Sequence, residues 1–76
     1  MISIAQLIND KKNPAANQFV VISENATYFQ SYTSIIVKKP NNDDNVYLSP
    51  DWDYSKTTLK HLYIFLRDYT RYNVYS

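Results

Sequence analysis

The sequence predicts an α+β domain of order α-β-β-β-α, a three-stranded antiparallel sheet with two helices packed on one face. Three observations point there. Trp52 to Tyr72 is long and periodic, with Thr58, Leu59, Leu62, Phe65, Leu66 and Tyr69 recurring at helical spacing as one apolar stripe. Between residues 18 and 49, runs rich in β-branched and aromatic residues are separated by turn residues. Near the N-terminus, Ile4, Leu7 and Ile8 fall on one side of a short helix.

Taken in order, Ser3 caps that first helix. It ends near Asp10 to Lys12, where two lysines suit the negative helix end. Asn13-Pro14 stops it, because the residue before proline is pushed away from helical angles. Ala15 to Gln18 is a connector. Gln18 to Ser23 (QFVVIS) reads as a strand, and Glu24-Asn25-Ala26 as a tight turn. Ala26 to Lys39 (ATYFQSYTSIIVKK) reads as a long second strand, bent in its Ser/Thr-rich middle. Pro40 to Asn45 is a polar hairpin loop, and Val46 to Ser49 a short third strand. The main helix runs from about Ser55 to Tyr69, roughly 22 Å, with Ser55 or Asp53 as its cap. Short connections favour an antiparallel meander, since parallel pairs need long crossovers. The expected core is Leu59, Leu62, Phe65 and Leu66 with Val20 or Val21, Ile35, Val37 and Leu48.

Seventy-six residues make a single domain, 1–76. The net charge of +1 describes neither a basic nucleic-acid protein nor an acidic mimic of DNA. There is no cysteine, so neither disulfides nor thiolate metal sites arise. MISIAQLIND lacks the basic flank and apolar run of a secretory signal. No segment has the apolar length to span a bilayer. The expected location is the cytoplasm.

Two biases stand out: eight tyrosines and no glycine. Average usage predicts roughly five glycines in such a chain. Left-handed backbone angles should then fall on Asn or Asp. Without glycine there is no P-loop, dinucleotide fingerprint, nucleophile elbow or complete EF-hand loop.

The remaining chemistry is sparse. Asn41, Asp43 and Asn45 alternate like early calcium ligands, but Val46 stands at the glycine position and no glutamate closes the loop. They read as turn residues. Asp51 and Asp53 precede a helix, where carboxylates cap. His61 is the lone histidine, and neither Ser49 nor Ser55 gains a triad from it. No catalytic, cofactor or metal set emerges, so the expected protein is not an enzyme.

Recognition surfaces are more promising. Tyr28, Gln30, Tyr32 and Ser34 alternate along one face of the second strand, and Tyr47 joins them if Val46 and Leu48 point inward. Tyrosine offers large contact area at low entropy cost, and Ser and Gln add adaptable hydrogen bonds. A second surface is the outer side of the main helix, with Lys60, Ile64, Arg67 and Arg71. Lys38, Lys39, Arg67, Arg71 and Tyr72 form an alternative basic–aromatic set, extended by Tyr69 and Tyr75, of the kind that grips nucleic acid.

At YFQSYTSIIV (Tyr28 to Val37) and WDYSKTTLKHLYIFL (Trp52 to Leu66) the chain resembles small bacteriophage proteins. In these, a YFQSY-like strand precedes a WDYS-TT helix start and a helix ending in Phe-Leu. The likeness covers about the C-terminal two-thirds, and departs at Thr33, where related chains favour glycine. It implies a phage-encoded module that binds a host protein complex in the bacterial cytoplasm and inhibits it stoichiometrically, anti-CRISPR and other anti-defence proteins included. The alternatives are a nucleic-acid binder and a structural assembly component, with a homodimer formed through the sheet.

Overall fold

The computed structural model describes residues 2–43, 45–53 and 55–70. Five strands precede one helix: β1 (Ser3–Ile8), β2 (Pro14–Ile22), β3 (Ala26–Ser31), β4 (Ser34–Pro40), β5 (Tyr47–Leu48) and α1 (Lys56–Tyr69). The strands form one sheet in the order β1-β2-β3-β4-β5, antiparallel at every pairing. The antiparallel meander is as the short loops predict. The α-β-β-β-α order with three strands and two helices is not: the sheet has five strands, and α1 is the one helix among the described residues.

Two segments account for the difference. Ile4, Leu7 and Ile8 fit a helical period, yet only Leu7 is buried and the segment is β1, paired with β2. So short a helix is marginal in water, whereas pairing with β2 satisfies its backbone at once. The expected connector at residues 15–18 belongs to β2. The long second strand is likewise two, because Ser31 pairs with Ser34 around a tight Tyr32-Thr33 turn. Folding the segment back sets Phe29 opposite Val37, and both are buried.

That turn uses a left-handed tyrosine, Tyr32 at φ 56°. Lys12 (φ 67°) and Asn17 (φ 63°) share the conformation. Only one of the three is the expected Asn or Asp. Each non-glycine residue there costs roughly 1–2 kcal/mol. Lys12 is held by its loop, where Asn9 Oδ1 accepts from the backbone N–H of Lys11 at 3.0 Å and of Asn13 at 3.1 Å.

The core lies between sheet and helix. Leu7, Val20, Phe29, Ile36 and Val37 pack against Leu62, Ile64, Phe65 and Leu66. Phe65 stacks on Phe29 at 5.7 Å and on Tyr69 at 5.3 Å. Leu62, Phe65, Leu66, Val20 and Val37 thus do what the sequence predicts, and Leu59 packs on them half-buried.

Three residues do not follow that expectation. Ile35 is 43% exposed, because the β3–β4 register slips between Phe29 and Gln30, pairing Phe29 with Val37 but Gln30 with Ile35. The extra residue, Ile36, is buried beside Val37. Such a bulge resets the alternation and turns Ile35 outward. Leu48 is exposed at the two-residue edge strand β5. Ile64, expected on the solvent side of the helix, is 0% exposed. The buried arc of α1 reaches past the Leu62–Phe65–Leu66 stripe to include it.

A polar seam closes the start of α1. Ser55, one of the two expected caps, accepts from Thr58 N–H at 3.0 Å. Its hydroxyl donates to Thr58 Oγ1 at 3.1 Å. Thr58 Oγ1 lies 3.0 Å from Ser31 Oγ on β3, and Thr58 and Ser31 are both fully buried. Gln18 pairs with Ser31 across the sheet and is buried too, and among the described residues its Oε1 has no hydrogen-bond partner.

Candidate functional site

The registers bring one row of side chains across all five strands: Ile4, Val21, Tyr28, Lys38 and Tyr47. A second row, Gln6, Phe19, Gln30 and Ile35, runs beside it on the same face. The intervening row, Ala5, Val20, Phe29, Val37 and Leu48, points the other way, towards α1. Side chains alternate across a strand, so the first two rows occupy the face that α1 does not cover. Ile4 is 68% exposed. Ile35 and Tyr47 are also exposed, and Phe19, Val21, Tyr28 and Gln30 are half-buried. Cross-strand neighbours stand about 5 Å apart, so the two rows form a continuous apolar and aromatic surface with Lys38 as its only charge.

Of the five residues expected on this face, three are there: Tyr28, Gln30 and Tyr47. Tyr32 sits exposed in the β3–β4 turn, where Gln30 Nε2 donates to its carbonyl at 2.7 Å. Ser34 pairs with Ser31 and shares its helix-side face. The structure adds Ile4, Phe19, Val21, Ile35 and Lys38. Reading residues 3–8 as a helix hid Ile4, although Ile2 and Ile4 already alternate with polar or small neighbours as strand residues do.

Tyr47 is anchored at one end of the row. Its hydroxyl donates to Asp43 Oδ2 at 2.5 Å, while Asp43 Oδ1 accepts from Asn45 N–H at 2.9 Å. These bonds favour the carboxylate. They hold Asp43 below its ordinary range and push the Tyr47 phenol up. Asn41 is tied to the β2–β3 turn, its N–H and side-chain amide donating to the carbonyls of Asn25 and Glu24. The alternating acids and amides of this loop therefore make turn contacts. Among the described residues no cluster of three or more His, Cys, Asp or Glu could hold a metal ion. His61 Nδ1 lies 2.7 Å from the Thr57 carbonyl, one helical turn back.

The second surface does not assemble as expected. Ile64 is buried, Lys60 and Arg67 are exposed, and Arg71 lies outside the described residues. Arg67 bonds to Asp10 at 2.7 Å and Asp68 at 2.8 Å. The two carboxylates raise its pKa further, so it stays charged throughout. With Ile8, Asn9 and Lys12 these groups line a cavity of about 390 Å³ between the β1–β2 loop and α1.

The basic–aromatic set is also scattered. Consecutive residues of a strand face opposite ways, so Lys38 and Lys39 do not act together. Lys39 Nζ donates to the Pro40 carbonyl at 2.8 Å, and Arg67 is held between two carboxylates. Tyr72 and Tyr75, like Arg71, lie outside the described residues. No helix among the described residues is long and apolar enough to cross a membrane.

Residues 2–75 match the model of a family of unknown function (DUF8033). Neither the curated proteins nor the solved structures contain a match to the chain.

Proposed function

We propose that this chain, which belongs to the DUF8033 family, is a non-enzymatic binding module that docks a partner protein on the open face of its sheet. One observation carries the reading: the row Ile4, Val21, Tyr28, Lys38 and Tyr47 crosses the whole sheet on the face that α1 leaves uncovered, with Ile4, Lys38 and Tyr47 exposed and Val21 and Tyr28 half-buried. A contiguous apolar surface of this kind is a liability unless a partner covers it. Interfaces concentrate their energy in Tyr, Trp and Arg anchors, and two tyrosines lie in this row. The complementary partner presents an apolar patch with a carboxylate opposite Lys38.

The finer reading is a phage-encoded inhibitor that occupies a host complex, such as a CRISPR effector, one to one in the bacterial cytoplasm. Its support is the resemblance at Tyr28–Val37 and Trp52–Leu66. The dispersal of Lys38, Lys39 and Arg67 favours it over nucleic-acid binding.

The test is affinity capture from bacterial lysate with the wild-type chain and with Tyr28→Ala and Tyr47→Ala, each checked for folding by circular dichroism. A partner held by the wild type should lose about 5- to 30-fold in affinity for each variant, the effect of removing an anchor worth about 1–2 kcal/mol. Capture unchanged by both folded variants would remove the open face from the binding site.

A further inference from the structure

We propose that the chain forms a two-fold symmetric dimer by antiparallel pairing of β1 with β1 of a second copy, joining two sheets into one of ten strands. The two edges of the sheet are unlike. β5 is only two residues long, a common way to blunt an edge. β1 has six residues, SIAQLI, with no charge and no proline, so it lacks the side-chain protections of an edge strand, and its one irregularity, a register shift against β2, falls between Gln6 and Ile8. At this edge lie the two most exposed large hydrophobic residues of the described chain, Ile2 at 67% and Ile4 at 68%.

The hydrogen-bond phase of the sheet shows which backbone groups the described residues leave free for pairing. Ser23 N–H donates to the Ala26 carbonyl at 2.9 Å, and Tyr32 N–H to the Asn17 carbonyl at 2.7 Å. Both bonds fit the β2–β3 register, so the odd residues of β2 direct their N–H and C=O at β3. The even residues, Val20 and Ile22, turn theirs to Ala5 and Ser3 of β1. By the same alternation, the backbone groups of Ile4 and Gln6 point away from the sheet, at the open edge.

A second copy is the occupant that fits. With the two-fold axis at Ala5, Ile4 faces Gln6 of the second copy and Gln6 faces its Ile4. Both are hydrogen-bonded pairs. Ile2 falls opposite Ile8, and the two Ala5 residues meet at the axis as a close pair, with Cα atoms about 4.5 Å apart. Alanine is small enough for that approach, and no like charges meet along the strand. The axis stands perpendicular to the sheet, so both helices lie on one side. The two apolar rows join on the other. Two six-residue strands joined at their edges make a small contact, the class of interface that associates weakly and reversibly.

Three measurements on the full chain test this. In sedimentation equilibrium from about 10 µM to 1 mM, the average mass should rise from 9.0 kDa towards twice that, and Ile4→Lys should abolish the rise with an unchanged circular dichroism spectrum. Amide exchange at Ile4 and Gln6 should slow with concentration, while Ala5 stays protected throughout. Ala5→Cys, at an exposed position in a chain with no other cysteine, should form a disulfide-linked dimer under mild oxidation. A monomer mass up to 1 mM overturns the proposal. So does a dimer that Ile4→Lys leaves intact, or one in which the Ile4 and Gln6 amides stay fast and Ala5→Cys fails to link, since that copy sits elsewhere.

Discussion

Ile64 and Ile35 are the same residue type in opposite environments, and their truncation measures where the core is. Ile64 on α1 is 0% exposed. Replacing it by alanine removes three buried carbon groups, a transfer loss of about 2.4 kcal/mol at roughly 0.8 per group. The cavity left between sheet and helix adds to this, giving about 3–4 kcal/mol. Ile35 lies on the uncovered face, where truncation opens no cavity, so Ile35→Ala should cost only about 1 kcal/mol. A domain of this size has roughly 4–11 kcal/mol in total, so the first substitution takes a large share. Urea denaturation should show the Ile64→Ala midpoint well below that of Ile35→Ala at unchanged slope. Thermal melting should fall by about 12–32 °C for Ile64→Ala. Equal costs for the two variants, or an Ile64→Ala loss under 1 kcal/mol, would mean that α1 does not seat on the sheet as described.

Gln18→Met should stabilise the fold by about 1 kcal/mol, because it removes a buried oxygen without a partner while keeping the shape; a loss of stability in the same denaturation assay would show that the oxygen is bonded. Tyr32→Gly should gain about 0.5–1 kcal/mol, since glycine adopts the left-handed angle of that turn freely but loses more entropy on folding; a net loss would count against the turn. Tyr47→Phe should return the Asp43 carboxyl towards its ordinary value of 3.8, read by NMR titration. In the wild type that carboxyl is held low, so its contribution to stability is present above the ordinary value and is lost as pH falls through the depressed one. A titration identical in Tyr47→Phe would mean that the hydrogen bond is not formed.

The helix was legible because fourteen residues of one period outweigh any local alternative. Its cap, the tight turn at Glu24-Asn25 and most of the sheet–helix core came with it. The first strand was not legible from its own residues. Ile4, Leu7 and Ile8 fit a helical period while Ile2 and Ile4 alternate as in a strand, and tertiary pairing with β2 chooses between them. Nor was the Tyr32-Thr33 turn, because its sharp reversal uses a tyrosine at an angle where glycine or asparagine would normally give the signal. The bulge after that turn carries no sequence mark either, and it alone exchanges the roles of Ile35 and Ile36. At the candidate site, Tyr28, Gln30 and Tyr47 followed from alternation. Ile4, Phe19 and Ile35 needed the registers.

The order of the sheet also sets the order in which its surfaces can be completed. Each strand pairs with the next one in the chain, so the sheet can grow one hairpin at a time without waiting for a distant segment. Such local topologies fold faster than those built on long-range pairings. Until α1 docks, however, both faces of that ribbon are apolar: Val20, Phe29 and Val37 on one, Val21, Tyr28 and Ile35 on the other. The helix follows all five strands, so the distinction between an inside and an outside is made at the last step. A chain interrupted before Lys56 would keep two adhesive faces. Which of them remains open to meet another molecule is decided by where those final fourteen residues land.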